Sequence, residues 1–198
     1  GLIPAIIIEH MEEKLGQPLH EVFDFVGGTS IGGILALGLT ASQGDRTPVT
    51  VKSKNYLSNL FIEEGKTMFN KDLGGLAGVL KTGVKAAPHN PSGIESVLLN
   101  KLQDSLMSQC LTNTVIVSID SETNKGHVFE SYARETDFYC REAARATSAA
   151  PTYFPPAKVR ELDGGSHKAS GKLHTMVDGG LMMNNPSQII FNRLCEQY

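Results

Sequence analysis

The stretch Val22-Phe23-Asp24-Phe25-Val26-Gly27-Gly28-Thr29-Ser30-Ile31-Gly32-Gly33 decides how the rest of the chain is read. Its first five residues form a short β-rich run that ends at the pair Gly27-Gly28. From Ile31 to Ala41 the residues are small or apolar, which predicts a buried helix. Strand, sharp glycine turn and buried helix follow one another directly. Gly28-Thr29-Ser30-Ile31-Gly32, spanning the junction, has the G-x-S-x-G form of a turn that presents a serine hydroxyl from the edge of a sheet. Gly28 and Gly32 are expected to let this turn close without side-chain clashes, with Gly27 and Gly33 relieving crowding further. Ser30 then stands at the helix N-terminus, where unpaired N–H groups and the helix dipole favour developing negative charge; the Ile31 N–H is a natural oxyanion donor. Two other readings compete: a plain strand–helix turn with Ser30 as its cap, and a phosphate-binding loop. Neither the Walker spacing nor G-x-G-x-x-G occurs at this turn, which counts against phosphate.

Working outward, Ile3, Ile7, Met11 and Leu15 make a helical stripe, with Pro4 suited to a first turn and Gly16 as a stop. A polar loop beyond Gly44 leads to a helix-like stretch from Val49 to Glu63. Residues 70–91, rich in glycine and small residues, read as a long irregular surface insertion. Ser92 and Glu95 have the spacing of a capping box for a helix whose apolar face carries Ile94, Val97, Leu98, Leu102 and Leu106. Strands are expected at Thr114–Ile119 and at His127–Ser131, on either side of a turn at 123–126. A helix is expected from Phe138 to Ala149, running into Pro151, and a last strand from Leu173 to Val177, broken by Asp178-Gly179-Gly180. Strands alternating with helices argue for an α/β sheet covered on both faces, in one domain without internal repeats.

The 198 residues, 40% hydrophobic and 20% charged, suffice for one sizeable core. A net charge of -3 and a pI near 6.1 argue against a nucleic-acid footprint, but leave a membrane surface open, since apolar insertion needs no positive charge. Cys110, Cys140 and Cys195 are widely spaced and odd in number, which indicates neither a zinc site nor a disulfide framework. No ligands cluster, so no metal or cofactor is expected. Free thiols favour a reducing, cytoplasmic compartment. The apolar opening Leu2–Ile8 is too short to span a bilayer, and no basic region of a signal peptide precedes it. Gly1 is not an initiator, and Asn192–Tyr198 still reads as helix, so the chain is expected to be an internal segment of a longer protein.

A serine hydroxyl needs a base. In the α/β-hydrolase order of Ser, acid, His, a triad of Ser30, Asp120 and His174 is formally possible. His174, however, lies inside a strand-like run, and no histidine follows Asp178. Asp178 ends an apolar run before two glycines, so its carboxylate should emerge at a strand end beside a tight turn. Within reach of Ser30 it could accept the hydroxyl proton directly. An Asp-Gly turn of purely structural use remains the alternative.

Taken with their order, these blocks resemble the patatin-like phospholipase family over nearly the whole chain. They are Gly1-Leu2-Ile3-Pro4-Ala5, the stretch from Phe23 to Gly33, Ser148-Ala149-Ala150-Pro151-Thr152-Tyr153-Phe154-Pro155-Pro156, Val177-Asp178-Gly179-Gly180 and Asn184-Asn185-Pro186. Plant patatins are especially similar around Val117-Ser118-Ile119-Asp120 and Thr123-Asn124-Lys125. The resemblance implies a three-layer α/β/α sandwich with a central, mostly parallel sheet. It also implies a Ser30–Asp178 dyad without a catalytic histidine, hydrolysing fatty-acyl esters of phospholipids, galactolipids or lysolipids through an acyl-serine. The family's glycine-rich oxyanion loop, Asp-Gly-Gly-Gly-x-Arg-Gly, would immediately precede Leu2, and only Gly1 matches its last position. The expectation is therefore a single domain over 1–198, truncated at both ends and lacking its first strand, whose isolated segment is weak or inactive.

Alternatives are the Ser30–Asp120–His174 esterase and a non-catalytic lipid-binding or storage protein of the same fold. The expected partner is a phospholipid or other acyl lipid at a membrane or micelle surface, with no nucleic acid and no transmembrane segment. Leu73, Leu76, Val79, Leu80 and Val84 make the 70–91 segment a candidate lid or interfacial loop.

Overall fold

The computed structural model describes residues 1–44, 48, 55–70 and 90–197. The candidate lid at 70–91, except for its ends, lies outside these residues, as does the 49–54 part of the helix expected from Val49 to Glu63. In chain order the elements are α1 (Leu2–Leu15), β1 (Phe25–Thr29), α2 (Ile31–Thr40), α3 (Tyr56–Ile62), α4 (Gly65–Met68) and α5 (Pro91–Leu102). Then come β2 (Asn113–Asp120), β3 (Lys125–Glu130), β4 (Thr136–Asp137) and α6 (Cys140–Thr147). The last are β5 (Ala157–Asp163), β6 (Ala169–Asp178), α7 (Gly180–Met183) and α8 (Ser187–Gln197).

The architecture is the expected α/β, but the sheet is mixed rather than mostly parallel. Among the described strands, β1 pairs parallel with β2, whereas β3 and β6 on β2, β5 on β6 and β4 on β5 are antiparallel. One feature of the register positions the candidate site. β3 lines one edge of β2 along Val115–Asp120. The opposite edge is shared end to end by β1, along Asn113–Val117, and β6, along Ser118–Asp120. Because β1 runs with β2 and β6 runs against it, their C-terminal ends meet head-on. Thr29 is opposite Val117, and Asp178 is opposite the next residue, Ser118.

β1 begins later than its composition suggests and continues through the glycines. Leu19–Glu21 is a turn of 3-10 helix, and Val22 ends it. Gly27 and Gly28 stay in the ladder because no side chain fits at either: a Cβ at Gly27 would first meet the Val115 carbonyl of β2, at 2.6 Å, and one at Gly28 the first turn of α2. The Cβ at Gly27 would also lie 2.7 Å from Ile190 of α8, and the one at Gly28 would lie 2.2 Å from the Gly32 carbonyl of α2. Successive strand residues face opposite ways, so α8 and α2 cover opposite faces of β1, as a layered sandwich requires. α2 is buried from Gly33 to Thr40 and packs with Ile94, Leu98, Ile116 and Phe129 into the main core.

Two helices differ from expectation in detail. On α1 the apolar stripe faces outward, with Ile3 74% exposed. The packed face carries Ala5, Ile8, Glu9 and Glu12 instead. Glu9 accepts from the Leu57 and Ser58 N–H groups at 2.8 and 2.9 Å, so α1 supplies the cap of α3, and this sets its rotation. Gly16 does stop α1, in the left-handed conformation at φ 70°. α5 is capped by Asn90, whose Oδ1 accepts from the Ser92 N–H at 2.9 Å, with Pro91 in the first turn. Ser92 is thus not the cap, Glu95 turns to Arg145 instead, and Leu106 lies beyond the helix.

Candidate functional site

Ser30 is the single residue between β1 and α2. Its backbone is at φ 57° and ψ -128°, a conformation that costs a non-glycine residue roughly 1–3 kcal/mol. The neighbouring contacts hold it there. Its N–H donates to Thr147 Oγ1 at 2.8 Å, and its carbonyl accepts the Gly33 and Ile34 N–H groups at 2.9 and 3.2 Å. The side chain does not cap α2. Instead Ser30 Oγ donates to Asp178 Oδ2 at 2.7 Å. That contact disfavours the plain capping turn as an account of this serine.

Asp178 closes β6 and is 5% exposed. Its N–H donates to the Ala149 carbonyl at 3.0 Å, which fixes the backbone. Oδ1 accepts the Gly180 N–H at 2.7 Å, closing the tight turn anticipated from Asp-Gly-Gly. Oδ2 is left to Ser30. Gly179 is obligatory here, because a Cβ would fall 2.4 Å from the Val117 carbonyl, where the two strand ends meet. The Thr29 hydroxyl donates to the Met183 carbonyl at 2.9 Å and ties α7 to the end of β1.

The two glycines of the turn differ in what they do. Gly28 admits no side chain, as described above. A Cβ at Gly32 would meet nothing within 4 Å, so closure of the turn does not require glycine there; its Cα borders open space instead. The Ile31 and Gly32 N–H groups belong to the first turn, whose donors have no partner within the helix. Gly1 packs against the same corner, with Ile31 and Phe61 filling the space its side chain would take.

His174 does not join this group. It sits four residues before Asp178 on the same face of β6, about 13 Å away at the rise of a strand. Its two ring nitrogens face Asp120 Oδ2 at 3.4 Å and Glu161 Oε2 at 3.0 Å. The Ser30–Asp120–His174 triad is thus not assembled, although its Asp–His half exists. Burial works against ionisation of Asp120. Even so, the Glu122 and Thr123 N–H groups and His174 hold its carboxyl below the usual range. Burial, and then the neighbouring His174, push His127 down to about 4. Among the described residues no three His, Cys, Asp or Glu side chains gather as a metal site would need.

Sequence reasoning missed Thr147 and the Ala149 carbonyl. Their only signal is position: Thr147 immediately precedes the Ser148–Pro156 block and Ala149 lies at its start, but their contacts with residues 30 and 178 are invisible in a linear chain.

A family model described as patatin-like phospholipase matches residues 1–190. Among curated relatives, Patatin-like protein 2 of Arabidopsis thaliana is 29% identical over 100% of this chain and 50% of its own length. Patatin-like protein 2 of Oryza sativa subsp. indica is 30% identical, over 94% of this chain and 48% of its own. Patatin-1-Kuras 2 of Solanum tuberosum is 29% identical, over 92% and 50%. The chain spans about half the length of the curated relatives it matches.

Proposed function

This chain belongs to the patatin-like phospholipase family, and from that membership and the Ser30–Asp178 contact we propose that it carries the catalytic centre of a lipid acyl hydrolase. The observation that carries the reading is the 2.7 Å bond from Ser30 Oγ to a nearly buried carboxylate, while His174, the histidine of the alternative triad, is engaged by Asp120 and Glu161.

In this reading Ser30 Oγ attacks the carbonyl carbon of a fatty-acyl ester while Asp178 Oδ2 takes its proton. The carbonyl oxygen becomes an oxyanion facing the start of α2, where the Ile31 N–H donates to it. Collapse of the tetrahedral species expels the alcohol, which takes the proton back from Asp178, and leaves an acyl-serine. A water molecule then attacks the acyl carbon and gives its proton to Asp178. Ser30 leaves as the free hydroxyl, reprotonated by Asp178, and the fatty acid departs. Asp178 alternates between base and acid without a histidine relay, and its bond from the Gly180 N–H keeps it oriented through both half-reactions. The exposed apolar pair Leu181 and Met182, on the turn after Asp178, suits an acyl chain arriving from a lipid surface. Access is proposed to be from a membrane or micelle surface, where an acyl lipid resides; among the described residues no helix is long and apolar enough to cross a membrane.

The test is acyl release from phospholipid, galactolipid and lysolipid by the intact protein. Ser30→Ala and Asp178→Asn should each remove it, whereas His174→Ala should retain it. Full activity in either of the first two variants would refute the assigned roles. A loss in His174→Ala as deep as in Asp178→Asn, in a protein that still folds, would return the triad to consideration.

A further inference from the structure

The Ser30 N–H falls in a gap between two hydrogen-bonding systems. The β1–β2 ladder ends at Thr29 opposite Val117, and the helical ladder of α2 begins with the Gly33 and Ile34 N–H groups. A donor stranded there, next to a backbone at φ 57°, has no reason to hold one position. Thr147, the last residue of α6, fills the gap. Its fully buried hydroxyl accepts from the Ser30 N–H at 2.8 Å and donates to the Val117 carbonyl at 2.6 Å. One oxygen thus replaces the rung that the sheet cannot supply, by donating and accepting at once, as a hydroxyl can. Its methyl group sits where a side chain on Gly33 would have to go, since a Cβ there would lie 2.7 Å from Cγ2.

The same short segment reaches the other partner. Two residues on, the Ala149 carbonyl accepts the Asp178 N–H at 3.0 Å. Thr147 and Ala149 therefore tie down the backbones of Ser30 and Asp178 respectively. They do so at the point where β1 and β6 meet on β2.

We propose that Thr147 is a positioning residue for Ser30, its hydroxyl bridging the Val117 carbonyl to the Ser30 N–H so that Oγ stays aimed at Asp178. The proposal rests on the reading of Ser30 as the nucleophile. Thr147 touches neither substrate nor reacting atoms; it acts through the backbone of the turn. Valine has the shape of threonine without its hydroxyl, and serine keeps the hydroxyl without the methyl. Ser148 provides the control: it is also buried, but its hydroxyl bonds to the Ala144 carbonyl of its own helix at 2.7 Å and leaves Ser30 untouched.

The experiment compares wild type, Thr147→Val, Thr147→Ser and Ser148→Ala in the intact protein. It measures kcat and KM on a soluble p-nitrophenyl acyl ester, the rate of Ser30 labelling by a fluorophosphonate, and the thermal midpoint. Thr147→Val should lower kcat and labelling roughly 10- to 100-fold, the scale on which ångström misplacement of a reacting group acts, with KM unchanged. Thr147→Ser should restore most of both, and Ser148→Ala should lose thermal stability without losing kcat. Wild-type kcat in Thr147→Val would overturn the proposal, and so would equal losses in Thr147→Val and Ser148→Ala, or no rescue by serine. Should Thr147→Val not fold, amide exchange at Ser30 in the wild type decides: protection matching β1 supports the bridge, and fast exchange removes it. An unlabelled wild type would sink the nucleophile reading itself, and the positioning role with it. A labelled wild type beside an equally labelled Thr147→Val would sink the positioning role alone.

Discussion

Asp178 divides its carboxylate between two tasks, and the division makes a specific substitution informative. Oδ1 holds the turn through the Gly180 N–H, and Oδ2 receives the Ser30 hydroxyl. Asparagine can keep an oxygen on the Gly180 N–H while placing an amide, which takes no proton, toward Ser30. Asp178→Asn is therefore expected to fold with a thermal midpoint close to wild type, yet to lose about 100- to 10,000-fold in kcat on a soluble ester. Asp178→Ala should lose both activity and stability, because the Gly180 N–H is left unpaired. Thermal melts run beside the ester assay check this; a large fall in midpoint for the asparagine variant would contradict the division. Turn chemistry and family blocks single out Ser30 and Asp178 in the sequence, and the structure places Ser30 Oγ 2.7 Å from Asp178 Oδ2. Thr147 is not singled out, because a threonine at a helix end carries no local mark of a bond to a residue 117 positions away.

Elements were less legible where their limits depend on neighbours in space. The strand before Ser30 was expected at 22–26 and runs from Phe25 to Thr29. Glycine is poor strand material when judged alone, but the Val115 carbonyl and Ile190 at Gly27, and the first turn of α2 at Gly28, exclude anything larger. The cap of α5 moved from Ser92 to Asn90 because Asn90-Pro91 sets both the acceptor and the first-turn φ. The outward face of α1 followed from Glu9 capping α3, a contact with no periodicity in it. The two turn glycines give the sharpest test at this scale. Gly28→Ala drives a methyl into the Gly32 carbonyl and should cost about 3 kcal/mol or more, or abolish folding. Gly32→Ala enters open space at a helical position and should change stability by less than about 1 kcal/mol. Chemical denaturation of both variants measures the difference; equal losses would mean that the turn closes in another way.

At the scale of the molecule, the α/β class was legible from alternating periodicities, but strand direction was not. Parallel or antiparallel pairing is decided by where the chain returns, and here β6 returns against β2 to meet β1 head-on. His127 on β3, beside His174 of β6, is expected to give the fold a pH dependence. His127 meets the Phe129 and Phe138 rings edge to face, and its Nε2 is buried without a hydrogen-bond partner among the described residues. Burial holds its folded pKa at about 4 against an ordinary 6.5. Between those values the unfolded chain binds a proton that the fold refuses. The contribution is therefore complete above about pH 6.5 and falls as the pH drops toward 4, by up to about 3 kcal/mol. His127→Phe should flatten the denaturation midpoint across that window; an unchanged slope would place the acid sensitivity elsewhere. The head-on meeting of β1 and β6 brings the Ser30 hydroxyl against the Asp178 carboxylate, which is proposed to activate it. The most direct measurement is fluorophosphonate labelling of the intact protein, with the adduct located by peptide mass spectrometry in wild type and Asp178→Asn. The account predicts one adduct, on Ser30, formed at least about 100-fold more slowly in the variant; an adduct on another residue, or equal rates in the two proteins, would contradict it.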